Sequence, residues 1–288
     1  MKTSDTNDQD KALVLVNLNG DVSDRLPAQV ADMQRALYYG DALFESMRTF
    51  SGRMPWWSMH WERLNEGMAQ LGMIAPAHWS AAFFENEWQK MQVFNHRIRL
   101  MVWRSAGGLY LPENNEVGFL MTTQKIDTPL YVWPNDGAVL GFSKTVQLPV
   151  DTFSNLKSLN TARYVQAARE ARSNGWDDAV ILNAFGRVCE TSNSNIFWIK
   201  NDKLFTPPLS EGCVAGIVRK LMIYLEVEGL EPCTEAICNP ATLLDADEVF
   251  TTNAVRGIQP VLSIDRYIKK KDKSKIIYEC LIKYILNI

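Results

Sequence analysis

One lysine stands among turn-forming residues in Ser154-Asn155-Leu156-Lys157-Ser158-Leu159-Asn160, and one glutamate stands among small hydroxyl and amide residues in Cys189-Glu190-Thr191-Ser192-Asn193-Ser194-Asn195. A lysine amine becomes a covalent catalyst when it condenses with a carbonyl. An aromatic aldehyde cofactor that accepts it also needs a group at its ring nitrogen if the ring is to act as an electron sink. Lys157 and Glu190 are candidates for that pair. Each taken alone reads as a solvated side chain, because lysine and glutamate are mostly exposed.

The elements that must position these two residues are legible in part. Residues 12–20 read as a short strand ending in an Asn-Gly turn. In the strand-like run 42–50, Leu43, Glu45, Met47 and Thr49 alternate with Phe44, Ser46, Arg48 and Phe50. Each face therefore carries one charge and could line a cavity. Residues 60–73 carry Leu64, Met68 and Leu71 at helical spacing and end near Gly72. Two further strands, 97–104 and 117–124, flank a loop containing Gly107-Gly108-Leu109-Tyr110-Leu111-Pro112. Together these predict an α+β domain over residues 1–125.

The stretch 126–135 has two prolines and no period, so it reads as an extended linker to a second domain, 136–288. There, strand-like 138–142, helical 161–174 and strand-like 178–183 lead to the turn Asn183-Ala184-Phe185-Gly186, and 212–229 reads as another helix. No internal repeat interrupts this order.

Composition narrows the class. The 288 residues are 47% hydrophobic and 22% charged, with a formal net charge of -3, which describes a globular chain with no call for nucleic acid. Five cysteines form an odd set without metal spacing, which predicts reduced thiols, a cytoplasmic setting and no metal site. The polar N-terminus lacks a signal core and no segment is apolar enough to span a bilayer, so no membrane partner is expected. The basic run Lys269-Lys270-Lys271-Asp272-Lys273 reads as a solvated loop.

Several motifs in one order carry a resemblance. Tyr39-Gly40-Asp41-Ala42-Leu43-Phe44-Glu45, His60-Trp61-Glu62-Arg63-Leu64, Leu156-Lys157-Ser158-Leu159-Asn160, Gly186-Arg187-Val188-Cys189-Glu190, Phe205-Thr206-Pro207-Pro208 and Gly216-Ile217-Val218-Arg219 resemble the class IV aminotransferases. These are pyridoxal-phosphate enzymes of fold type IV, among them branched-chain and D-amino-acid aminotransferases and aminodeoxychorismate lyase. The resemblance implies two domains with pyridoxal 5'-phosphate in the cleft between them, the second built around a β-barrel-like sheet. It also implies a homodimer acting on small amino acids and 2-oxo acids.

The family motifs assign roles by position. Lys157 would hold the Schiff base and shuttle the proton between the substrate carbon and the cofactor C4' carbon. Glu190 would pair with the ring nitrogen, and Ser194 and Asn195 follow it in the same motif. Arg63 would grip the phosphate, although beside Glu62 and Glu66 it also reads as a helix-surface arginine. Ile217 and Val218, opening a helix, and Asn253 and Ala254, in a second turn, would supply further phosphate donors. Tyr39, Phe44, Arg48 and Arg99 match substrate-pocket positions, against core packing for the two aromatics and strand-surface charge for the two arginines.

Three departures bear on the reaction. Ala254 stands where many family aminotransferases carry a hydroxyl, so a phosphate bond there must come from its backbone N–H. Ala162 stands where branched-chain enzymes carry a tyrosine, with Tyr164 two residues later. Leu109-Tyr110-Leu111 lacks the Arg-x-His of D-amino-acid enzymes, which argues against D-amino acids. Transamination is the leading expectation and aminodeoxychorismate lyase the alternative. A non-catalytic binding protein on the same fold is disfavoured, because an empty scaffold has no need of Lys157 and Glu190 together.

Overall fold

A computed structural model of the protein describes residues 16–24, 31–227 and 229–286. Strands β1 (Val16–Leu18) and β2 (Asp21–Ser23) pair across the expected Asn19-Gly20 turn. Residues 12–15 of the expected strand, and the polar stretch 1–10, lie outside the described residues. Strands β3 (Ala42–Arg48), β4 (His96–Arg104) and β5 (Val117–Lys125) complete an antiparallel sheet of order β2-β1-β5-β4-β3. Helix α1 (Gln34–Tyr39) precedes β3, and α2 (Trp57–Gln70) and α3 (Ala81–Lys90) follow it. Both later helices pack on one face of the sheet, burying Trp57, Leu64, Phe84 and Trp88 against Leu100 and Phe119. Glu45, on the same strand face as Leu43 and Met47, is buried there too, so it must be paired.

Residues 126–137 are irregular, as the prolines require, yet they are tied down. Tyr131 is buried and donates its hydroxyl to the Ala254 carbonyl at 2.7 Å. Gly257, at φ 73°, lies so close that a Cβ would meet the Tyr131 ring at 2.5 Å.

The remaining strands are β6 (Ala138–Leu148), β7 (Asp178–Asn183), β8 (Val188–Thr191), β9 (Asn195–Lys200), β10 (Lys203–Thr206), β11 (Glu231–Glu235), β12 (Glu248–Asn253), β13 (Gly257–Ile264) and β14 (Tyr267–Ile268). Their order is β11-β10-β9-β12-β13-β6-β7-β8, with β14 on β13. In a flat sheet β8 and β9 would lie about 24 Å apart, five strand spacings. Only Ser192, Asn193 and Ser194 join them, a span of roughly 14 Å at most. The sheet must therefore curl, which brings the ends of β8, β9 and β12 to one place.

Helix α4 (Ala162–Ser173) connects β6 to parallel β7, and α5 (Ile217–Tyr224) precedes β11, which runs parallel to β10. Two short readings are corrected. Strand 138–142 continues to Leu148 through a bulge held by Glu170, which accepts from Ser143, Lys144 and Thr145. The helix expected over 212–229 covers only 217–224: Pro207, Pro208 and Gly212 hold its approach in other conformations, and Leu225 is already extended. Residue 228 lies outside the described residues.

Helix α6 (Pro240–Leu244) caps the connection to β12, and α7 (Asp272–Leu286) lies over β12 and β13. The lysine run at the start of α7 is not a free loop. Lys269 is buried and donates to the carbonyls of Leu244 and Ala246, at 2.5 and 2.8 Å, and Lys273 pairs with Asp202. Helix and sheet ends supply bare carbonyl oxygens, and ammonium groups satisfy them.

Candidate active site

A cavity of about 740 Å³ opens between the two sheets, lined from one side by Phe44, Ser46, Arg97 and Arg99 and from the other by Lys157, Tyr164, Glu190 and their neighbours. The Lys157 segment is held like an extra strand along β3. Its carbonyl accepts from Phe44 N at 2.9 Å, and Leu159 N donates to the Ala42 carbonyl at 3.0 Å. These bonds leave the Lys157 ammonium 4.5 Å from the Phe44 ring centroid. Burial, and then the nearby Arg63 charge, lower its pKa to about 8, against the opposing pull of Glu45 and Glu190. The neutral form is therefore far more accessible near neutral pH than in an exposed lysine, as a nucleophile or base needs.

Glu190, the penultimate residue of β8, has its carboxylate buried. Oε1 accepts from the Tyr164 hydroxyl at 2.7 Å and from Val214 N at 3.2 Å, and Oε2 accepts from Asn195 Nδ2 at 3.2 Å. Burial raises its pKa to about 7, and the Tyr164 and Val214 bonds oppose the rise. Asn195 also donates to the Val214 carbonyl, pinning the loop before α5. Glycine is needed beside it, since a Cβ on Gly216 would fall 1.9 Å from Asn195 Oδ1. Sequence reasoning left Tyr164 out of the site. Its place in the first turn of a helix seven residues after Lys157 was visible; its partner was not.

Arg63 does not sit beside Glu62 and Glu66 as a surface charge. Its Nε donates to Glu45 Oε1 at 2.8 Å, Nη2 to Glu45 Oε2, and Nη1 to the Ala215 carbonyl at 2.6 Å. His60 Nδ1 lies 2.7 Å from the same carboxylate, which together with Arg63 is held at a pKa of about 2 despite its burial. Of the five N–H groups of a guanidinium, three are engaged, so two remain unused, and Arg63 is among the residues that line the cavity. Glu62 pairs instead with Lys220. Ile217 and Val218 open α5 with no side-chain cap, so their amides are available where they line the cavity.

The second turn, between β12 and β13, is built by Asn253. Its Oδ1 accepts from Val255 N and Arg256 N, and its Nδ2 donates to Ser194 Oγ at 2.9 Å. Ser194 and Asn253 thus hold two turns together, and Ala254 lines the cavity beside them.

The four substrate candidates separate. Phe44 and Arg99 line the cavity, with the guanidinium 4.3 Å from the ring centroid. Burial, then Arg97, lower the Arg99 pKa, and the side chain forms no hydrogen bond or ion pair among the described residues. Arg48 is displaced from this group: it is buried and donates to the carbonyls of Thr128, Leu130 and Val255, so it laces the 126–137 stretch to the second turn. Being one residue pair further along β3 than Ser46 carries it past the cavity. Tyr39 is displaced too, into an adjoining hollow of about 330 Å³ with Arg35, Arg104 and Tyr110. Arg97, Arg163 and Arg256, not singled out in the sequence, also line the large cavity. No cluster of metal-ligating side chains occurs among the described residues.

A family model described as amino-transferase class IV matches residues 42–264. An aminodeoxychorismate lyase of Vibrio harveyi is 30% identical over 80% of this chain and 85% of its own. A protein of Methanocaldococcus jannaschii assigned as a branched-chain-amino-acid aminotransferase is 33% identical over 91% of this chain and 92% of its own. Among solved structures, an aminotransferase from Brucella abortus bound to the co-factor PLP superposes with a TM-score of 0.78 at 22% identity, covering 92% of this chain and 98% of that one. With most of its length matched and the curled sheet shared, the chain belongs to the class IV amino-transferase family, the pyridoxal-phosphate enzymes of fold type IV.

Proposed function

We propose that the protein is a pyridoxal-phosphate-dependent aminotransferase that moves an amino group between an amino acid and a 2-oxo acid, at least one of them carrying a second acidic group. The observation that carries this reading is Lys157, a half-buried amine with a lowered pKa, in one cavity with the buried acid Glu190. The residues fit the cofactor. Two N–H groups of Arg63 and the amides of Ile217 and Val218 suit its phosphate, with Asn253 shaping the turn that offers the Ala254 N–H. When bound, the cofactor supplies a ring that accepts the electron pair released at the substrate carbon. Lys157 would hold the aldehyde carbon and, once freed by substrate, would serve as the base that carries the proton away from the substrate carbon. Glu190 would face the ring nitrogen and favour its protonated form, whose positive charge would lower the carboxyl pKa in return.

Arg99 would take the α-carboxylate, and Arg97, Arg163 and Arg256 a second one. These three also lack hydrogen-bonded or ion-paired side chains among the described residues, which leaves the mouth positive and suits dicarboxylates such as glutamate or 2-oxoglutarate. Residues 1–125 and 136–288 would act as two domains joined by 126–135. A homodimer is supported by the exposed apolar tip Leu109-Tyr110-Leu111 beside the smaller hollow, and a cytoplasmic setting by five free cysteines. Among the described residues no helix is long and apolar enough to cross a membrane, and with its composition we assign no nucleic-acid or membrane partner.

A second reading, pyruvate elimination from aminodeoxychorismate, is favoured by the Asn253-Ala254 turn and by the same positive mouth, since that substrate also has two carboxylates. Incubation of the holoenzyme with an amino donor and no acceptor tests the choice. Conversion of the visible band to that of pyridoxamine phosphate is expected. If no amino acid produces it while aminodeoxychorismate yields pyruvate, the lyase reading replaces the first; no turnover of either kind would leave only a binding protein.

A further inference from the structure

We propose that Tyr164 is a positioning residue for Glu190, holding the carboxylate so that a single acceptor position, on Oε2, is left for the ring nitrogen of the cofactor. The inference rests on the reading of Glu190 as the partner of that nitrogen. It follows from counting acceptors. A carboxylate offers about four lone-pair positions. Tyr164 and Val214 fill two on Oε1, and Asn195 fills one on Oε2. The remaining position is on Oε2, and Glu190 lines the cavity.

The phenol can act only as the donor in this contact. Burial, then the Glu190 charge, push its pKa far above the usual range, so it keeps its proton. Its position matters as much as its chemistry. Tyr164 lies in the first turn of α4, and the short segment before it carries Lys157, clamped to β3 by backbone bonds. The Tyr164 bond therefore fixes the acid at the end of β8 relative to the amine, through one rigid stretch of chain. A tyrosine two residues earlier would point elsewhere, because successive positions in a helix differ by about 100°. In this chain the hydroxyl is used on the acid at the ring nitrogen.

Several groups face Glu190 and set its titration: Lys157 across the cavity, Arg219 from α5, the amides of Val214 and Asn195, and the thiols of Cys189 and Cys213, whose pKa values burial raises. Removing the phenol takes away a bond that favours the ionised acid, so Glu190 should hold its proton to higher pH.

The test is a double-mutant cycle on the holoenzyme with Tyr164→Phe, Glu190→Gln and the pair. Phenylalanine keeps the ring and its packing, and cofactor content is checked by absorbance after denaturation in alkali. We expect Tyr164→Phe to lower kcat about tenfold with KM nearly unchanged. We also expect the acid limb of its kcat profile, and the pH dependence of the visible band, to move to higher pH. The double variant should match Glu190→Gln alone, because the phenol acts through the acid. Multiplying effects would place Tyr164 on the cofactor directly and overturn the proposal. A Tyr164→Phe enzyme equal to wild type in band and rate, beside an impaired Glu190→Gln, would overturn it while sparing the Glu190 assignment. A Glu190→Gln enzyme with normal rate and band would remove that assignment and the proposal together.

Discussion

Lys157 owes its chemistry to its surroundings, since an exposed amine would stay protonated near neutral pH. Replacement by methionine keeps the bulk, removes nucleophile and base together, and should reduce turnover by several orders of magnitude, with the visible band now abolished by dialysis. The cofactor-free protein carries a matching pH signature. Folding lowers the Lys157 pKa from 10.5 to about 8, so the unfolded chain binds more protons between those values and stability rises with pH across that window. Folding raises the Glu190 pKa from 4.5 to about 7, so the folded state binds more protons there and stability falls as pH rises through that window. Melting temperatures of Lys157→Met and Glu190→Gln, compared with wild type, should lose the first and second slopes respectively. Unchanged slopes would mean that these groups are hydrated in the folded chain. Both residue types and their motif were legible in the sequence; that burial, rather than a neighbouring ion pair, sets their pKa values was not.

At the scale of elements, the strand 42–48 was readable because side chains alternate with period two. Its consequence was only half readable. Period two says that Phe44, Ser46 and Arg48 share a face, but not where the cavity ends along it. Beyond Ser46 the same face meets the 126–137 stretch, and Arg48 becomes a tie between carbonyls of distant segments. No local pattern records that, because its acceptors are backbone atoms 80 and 207 residues away. The same holds for Lys269, whose partners are helix-end carbonyls. The two arginines should therefore separate in experiment. Arg48→Met leaves buried acceptors unpaired and should cost roughly 3 kcal/mol of stability, read as a lower melting temperature, with KM almost unchanged. Arg99→Gln should raise KM for the carboxylate substrates about tenfold and leave melting alone. Arg63 belongs to both classes. Arg63→Ala should weaken cofactor retention and also destabilise the fold, because Glu45 would remain buried with only His60 beside it.

At the scale of the whole molecule, the cavity exists because a curled sheet sets the ends of β8, β9 and β12 against the face of a separate sheet. Ligand that contacts both should stabilise the whole chain by mass action, so saturating cofactor should raise the melting temperature of the wild type and raise that of Arg63→Ala less. The irregular stretch between the sheets was expected from its prolines as an extended connector. Its anchoring was not expected: Arg48 holds its carbonyls, and the Tyr131 ring is buried against Gly257. A connector gripped at both its backbone carbonyls and its buried tyrosine is poorly suited to swing as a hinge. With no hinge in that connector, substrate encounter should depend on long-range attraction to cavity arginines that are unpaired among the described residues, rather than on domain gating. Catalytic efficiency toward dicarboxylates should accordingly fall as added salt screens that attraction, while the rate at saturation stays level.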